Sequence, residues 1–330
     1  MLRSAGVCAS LLLSVLTAPA FAQEPVRIGL GFGLAFMPAY ICEDLKLVEK
    51  YGREAHVDLK VTYERFFGAK PLQAAIGGDA IDIAPFGTAP FLVGWEKAKD
   101  TQRQILIVSG LTTLPPVLLT SRPDIHTLAD FRAADRIAIP APTAPQHYLL
   151  QMQAEKVLGQ FDKLHNQIVV RSHPEAIAEL LTTNGPVAGY FASAPFTELA
   201  LADGRIHKVF GAADVIEGKT SFLILAATKA YIAAHPKVPE AVVKAMDEAA
   251  RIIRDDPRRA AEIYLAHEPS RSFDGAGLAV ILGDIKDEFG SAVHGVAAFA
   301  DFMSRHGELK TPPQNWNEIV APALLNASNT

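Results

Sequence analysis

The stretch RIGLGFGLAFMPAY, residues 27–40, runs from a short apolar segment through glycines at 29, 31 and 33 into the start of a helix. Strand, glycine loop and helix together open an α/β unit. They also come close to the dinucleotide fingerprint, whose glycines let the backbone approach a pyrophosphate at a helix N-terminus. The fingerprint fails on counting: its third glycine falls on Leu34 when counted from Gly29 and on Phe36 when counted from Gly31. No cofactor is expected. The loop is better read as the floor of a ligand cleft, with glycine allowing close backbone approach and Pro38 tolerated in the first helical turn.

Working outward, short apolar runs alternate with helical patterns. Strands are expected at 26–30, 57–63, 81–84 and 105–109, with helices at 38–51, 71–76 and 89–97 between them. That alternation argues for βαβ units and an open parallel sheet. A second set follows, with strands at 136–139, 167–170, 187–191 and 208–210 and helices at 146–158, 174–181 and 195–201. Segments 114–121 and 221–228 read as crossovers between two lobes. Beyond them the chain reads as helical, with Val242, Met246, Ala249 and Ile253 forming one apolar stripe. A chain that leaves the first lobe, builds a second and returns makes a two-segment hinge, with the carboxyl ends of both sheets aimed at one cleft.

Residues 1–22 carry Arg3, a short apolar core around 11–16 and Ala20-Phe21-Ala22, the pattern of a cleavable secretory signal. The expected place is the periplasm. The formal net charge is −5, which leaves no basic excess for nucleic acid or an anionic membrane surface. Cys42 is the only cysteine beyond the signal segment, so no intramolecular disulfide is expected, and its apolar neighbours suggest a packed thiol.

Five segments in order carry a family resemblance. They are FMPAYICEDLKLVEKYG, FFGAKPLQAAIGGDAIDIAPFGTAPFLVG, TLADFRAADRIAIPAPTAPQHYLLQ, LLTTNGPVAGYFASAPFTELAL and ATKAYIAAHPKVPEAVVKAMDEAARIIRDDPRRAAEIY. Together they resemble the solute-binding proteins of ABC importers for nitrate, sulfonates, taurine and thiamine-type pyrimidines. The resemblance implies a two-lobed periplasmic-binding-protein fold of type II, α/β throughout, with two open mixed sheets joined by two crossover segments. The first lobe would comprise 23–113 and 223–330, the second 114–222. It further implies a small-molecule solute, an ABC permease and ATPase as partners, and a monomer. One departure stands at Ala141–Gln146, where the family carries a Gly-Ser-type turn and this chain has two prolines, which offer no backbone donor.

Candidate ligand residues follow from loop position. Gly33, Phe36 and Met37 would lie at the cleft floor, or the last two could be core. Arg65 could clamp a sulfonate, carboxylate or nitrate with its planar fork, with Phe66 and Phe67 as an apolar or stacking wall. Phe86, Gly87 and Thr88 end a strand and open a helix, where Thr88 is the expected N-cap. Thr112 could bind solute or organise the hinge turn. In the second lobe Thr143 and Gln146 fit a capping box, His147 and Tyr148 match the family's His-Tyr step, and Tyr190 and Ser193 end a strand.

No G-x-S-x-G elbow, H-E-x-x-H or P-loop occurs, and the ten histidines show no metal spacing, although His165 and His173 flank one expected strand. Asp82 reads as a structural acceptor. The expected function is non-catalytic binding of a small organic anion, sulfonate- or taurine-like. A thiamine-type pyrimidine or other aromatic solute is the alternative, and an exported α/β enzyme the rival of another class. No metal or cofactor is expected.

Overall fold

The computed structural model describes residues 23–67, 69–142, 144–182 and 185–325. The expected signal segment and Thr143 lie outside the described residues.

The first sheet begins with β1 (Glu24–Leu30), followed by α1 (Met37–Leu45), α2 (Leu47–Glu54), β2 (Leu59–Arg65), α3 (Ala69–Gly77), β3 (Ile83–Phe86), α4 (Thr88–Lys97) and β4 (Ile105–Thr112). The single helix expected at 38–51 is broken because Lys46 takes a left-handed conformation, φ +50°, between α1 and α2. The second sheet takes β5 (Val117–Thr120), β6 (Arg136–Ile139), α5 (Pro145–Leu158), β7 (Ile168–Val170), α6 (His173–Leu180), β8 (Val187–Ala192), α7 (Phe196–Leu201), β9 (His207–Gly211) and α8 (Ala212–Val215). The chain then returns through β10 (Leu223–Thr228) to α9 (Lys229–Ala234), α10 (Lys237–Asp255), α11 (Pro257–His267), α12 (Gly275–Ile285), α13 (Val296–Arg305) and α14 (Pro322–Leu325).

Two five-stranded mixed sheets result, ordered β2-β1-β3-β10-β4 and β7-β6-β8-β5-β9. Their plans match. In each, parallel neighbours are joined by helices, and one strand arrives from the other lobe and runs antiparallel: β10 between β3 and β4, and β5 between β8 and β9. The segments expected as plain crossovers therefore contain these strands, and they tie each sheet to the chain entering from the other.

β4 is buried along its whole length, although it stands at the edge of its sheet. The C-terminal chain covers that edge: the Ile107 amide donates to the Ile319 carbonyl at 2.8 Å and the Gly110 amide to the Ser291 carbonyl at 2.7 Å. A Cβ at Gly110 would lie 2.2 Å from the Ala292 carbonyl oxygen, so glycine makes this approach possible. α10 lays its stripe of Val242, Met246, Ala249 and Ile253 into the core, all four fully buried. Cys42 is equally buried, with Sγ 3.4 Å from the Ala245 carbonyl, and burial holds its thiol pKa well up. Asp82 is the structural acceptor expected, receiving the backbone amide and guanidinium of Arg27 across the sheet.

Candidate functional site

The carboxyl ends of β1, β2 and β3 in one lobe face those of β6, β7 and β8 in the other across a cleft, the place where open α/β sheets hold ligands. The cleft has two chambers that share Phe32, Phe36 and Leu223. The larger, about 590 Å³, lies between the lobes. Its first-lobe side is the loop from Phe32 to Phe36. Its second-lobe side is Pro140, the start of α5, His173 at the start of α6, and Ser193 to Phe196 after β8. The smaller, about 370 Å³, belongs to the first lobe and is almost wholly apolar, with Phe66, Phe67, Leu72, Phe86 and Pro90 along it.

A third element reaches the larger chamber, one the sequence reading did not place there. The loop after α11 brings Glu268, Arg271 and Phe273 into its lining. Glu268 accepts the Gly33 amide at 2.7 Å and the Tyr40 hydroxyl on Oε1, and the Tyr264 hydroxyl at 3.3 Å on Oε2. Gly33 sits at φ +106°, open to glycine alone at no strain, and that conformation turns its amide to Glu268. Arg271 is exposed and is the only lysine or arginine of the chamber lining. Among the described residues it makes no hydrogen bond or ion pair.

On the facing wall Gln146 is 1 % exposed and its side-chain oxygen has no partner among the described residues. Ser193 Oγ lies 3.4 Å from His173 Nε2, and His173 Nδ1 meets the Tyr190 hydroxyl. The imidazole stacks on Phe196 with centroids 4.7 Å apart, and burial pushes its pKa down to about 4, so it is neutral at neutral pH. At the cleft mouth Phe32 and Phe67 stack at 4.4 Å.

Of the residues expected from sequence, Gly33, Phe36, Gln146 and Ser193 line the larger chamber, and Phe36, Phe66, Phe67, Phe86 and Gly87 the smaller. The others stand elsewhere. Met37 is fully buried in the core beneath the sheet. Arg65 lines neither chamber: its guanidinium is bidentate on Glu43, 2.5 and 3.2 Å, and lies over the Tyr40 ring. Thr88 is inside α4 with Gly87 as N-cap, and its hydroxyl donates to the Ser221 carbonyl at 2.9 Å. Thr112 is buried on β4 away from both chambers.

α5 starts at Pro145 with Ala144 as N-cap, so Gln146 lies in its first turn, while the Thr143 half of the expected capping box lies outside the described residues. His147 turns back to the Pro142 carbonyl. Tyr148 donates to Glu308 at 3.0 Å, just past α13, and Glu155 of α5 pairs with Arg305 at the end of α13, so Tyr148 serves the contact between α5 and the C-terminal chain. Tyr190 lies behind the wall. Among residues the sequence reading left out, His173 had a visible signal, since it follows an expected strand at its carboxyl end. Glu268 and Arg271 had none beyond a break in helical pattern.

Among the described residues no group of histidine, cysteine, aspartate or glutamate is placed to hold a metal, and no helix is long and apolar enough to cross a membrane. The aliphatic sulphonate-binding protein SsuA of Escherichia coli has a similar structure, with TM-score 0.71 and 17 % identity over 90 % of this chain and 98 % of that one. The alkanesulfonate-binding protein SsuA of Xanthomonas axonopodis pv. citri, bound to MOPS, gives 0.66 and 19 % over 92 % and 98 %. The desulfurization enzyme DSZB gives 0.58 and 12 % over 92 % and 98 %. These likenesses establish the fold as that of the periplasmic binding proteins. No curated protein matches the sequence. The model of the NMT1-like family matches residues 22–266, most of the chain, and on that match the chain belongs to the NMT1-like family.

Proposed function

We propose that the chain is the periplasmic substrate-binding component of an ABC-type importer, taking a small organic anion of the sulfonate type into the cleft and presenting it to the permease. The observation that carries this reading is Arg271, whose guanidinium has no partner among the described residues, in a chamber between two lobes, with Ser193 in the same lining. A guanidinium fork suits the oxygens of a sulfonate or carboxylate. The smaller chamber would take the apolar body of the same molecule, and its phenylalanines favour a ring or chain over a bare inorganic anion such as nitrate. An ammonium group, as on a taurine-like ligand, would find Glu268 in the same lining. The sulfonate-binding neighbours in fold support the choice of anion. A ligand touching both lobes would favour the closed arrangement by its differential contacts, and the permease would read the paired lobe surfaces.

The second reading, a thiamine-type pyrimidine or other flat heterocycle, draws on the same aromatic chamber. The test is a thermal-shift and calorimetric panel of methanesulfonate, 1-butanesulfonate, benzenesulfonate, taurine, a hydroxymethylpyrimidine and nitrate on the purified mature chain. Saturable binding of a sulfonate without turnover is expected. Binding confined to the pyrimidine would transfer the assignment to the second reading, and turnover of any bound compound would overturn both.

A further inference from the structure

The second lobe holds three polar side chains in a row, Ser193 at the cleft with His173 and then Tyr190 behind it. Tyr190, 1 % exposed on β8, lies in a cluster of Leu119, Ala138, Ala176 and Leu180, and His173 Nδ1 is the only hydrogen-bonding partner of its hydroxyl among the described residues. That isolation decides the tautomer. If Nδ1 carried the imidazole proton, the Tyr190 oxygen would accept it and the hydroxyl hydrogen would be buried with nowhere to go. Tyr190 therefore donates, Nδ1 accepts, and the proton of the neutral ring sits on Nε2. That nitrogen faces Ser193 Oγ at 3.4 Å. The parallel stack on Phe196 and the edge contact with Tyr190 hold the ring in this orientation. Ser193 Oγ, having accepted from Nε2, keeps its own hydrogen for the cleft that it lines.

We infer that Tyr190, His173 and Ser193 form a one-way hydrogen-bond chain that makes this wall of the cleft a donor, so that it receives an oxygen of the ligand's acidic head group. The inference deepens the organic-anion reading and rests on it for the ligand. Ser193 is the contact residue; His173 and Tyr190 are positioning residues acting through it. The same tautomer separates this arrangement from a hydrolase, whose serine needs an unprotonated ring nitrogen to take its proton. Here the nitrogen at Oγ already carries one.

The chain is tested on the full mature protein by nitrogen-15 NMR of the histidine rings, assigned with His173→Gln. Wild type is expected to show His173 with its proton on Nε2, and Tyr190→Phe to shift the ring toward a mixture of tautomers. A proton on Nδ1 in wild type overturns the inference, and so does a tautomer unmoved by Tyr190→Phe. In calorimetry with benzenesulfonate, Tyr190→Phe should weaken binding about threefold to tenfold. His173→Gln, whose amide N–H can replace Nε2–H, should retain more affinity than His173→Phe; equal losses overturn the relay. If wild type shows the Nε2 proton and binds no sulfonate, the hydrogen-bond chain is supported and the organic-anion reading fails. Cleavage of 4-nitrophenyl acetate that Ser193→Ala abolishes would overturn the inference outright.

Discussion

The first-lobe wall of the cleft offers phenylalanines and a glycine loop whose Gly33 amide is already given to Glu268. The second-lobe wall offers Gln146 with an unpaired side-chain oxygen, and Ser193 backed by His173. Both walls are made of the same parts, loops at the carboxyl ends of parallel strands. The difference arises from what else reaches them. The loop at 268–273 fills the Gly33 amide with one charged side chain and, three residues later, delivers Arg271, which has no partner among the described residues. A glycine loop is thus an anion site only while nothing in the chain has claimed its donors.

The largest expected effect concerns the first wall and leaves the ligand untouched. Met37 sits one residue past Phe36, yet it is fully buried in the core while Phe36 lines both chambers. Met37→Ala should lower stability by about 2–5 kcal/mol in urea unfolding, the range for truncating a buried methionine. Retention of full stability would place Met37 in the cleft instead.

Next in size is a contrast between two arginines. Arg271→Ala should weaken a bound sulfonate by about 1.5–3 kcal/mol in calorimetry, the worth of a charged hydrogen bond. Arg65→Ala should leave affinity nearly unchanged, because Glu43 holds its guanidinium away from both chambers. A reversal of the two results would move the anion to the first lobe.

Much of this architecture was legible from periodicity and turn chemistry. Strand–loop–helix alternation anticipated both sheets, and the α10 stripe of Val242, Met246, Ala249 and Ile253 is buried as its spacing implies. The phenylalanines of the smaller chamber were also visible, since residues just past a strand's carboxyl end have few other places to go. What stayed hidden depended on contacts far apart in sequence. Arg65 looks like any loop arginine until Glu43 is folded against it, 22 residues away. Gly33 and Glu268 are 235 residues apart, and no local pattern couples them. Gln146, expected either to cap a helix or to meet a ligand, lines the larger chamber from the first turn of α5, which starts at Pro145.

The second wall carries its own pH signature. Burial lowers the His173 pKa from 6.5 to about 4, so between those values the unfolded chain binds more protons than the folded one. Stability therefore falls as pH drops from about 6.5 toward 4, by on the order of 2 kcal/mol after allowance for the ring's part exposure. His294, also lowered by burial, adds a slope of the same sign. Unfolding titrations should show a shallower pH dependence for His173→Gln than for wild type, and an equal slope would mean that the ring is not buried in solution.

The smallest effect separates the ligand's body from its head. Phe67 is 83 % exposed and Phe32 43 % exposed, yet the two rings stack at 4.4 Å where the chambers meet the mouth of the cleft. Since so little of Phe67 is buried, Phe67→Ala should hardly change stability. It should weaken benzenesulfonate by about 0.5–1.5 kcal/mol, the increment of an aromatic pair, and leave methanesulfonate unaffected. Equal losses for the two sulfonates would mean that the phenylalanines shape the head-group site. No loss for either would mean that the apolar chamber stays empty when ligand binds, and that all recognition lies between Arg271 and the second-lobe wall.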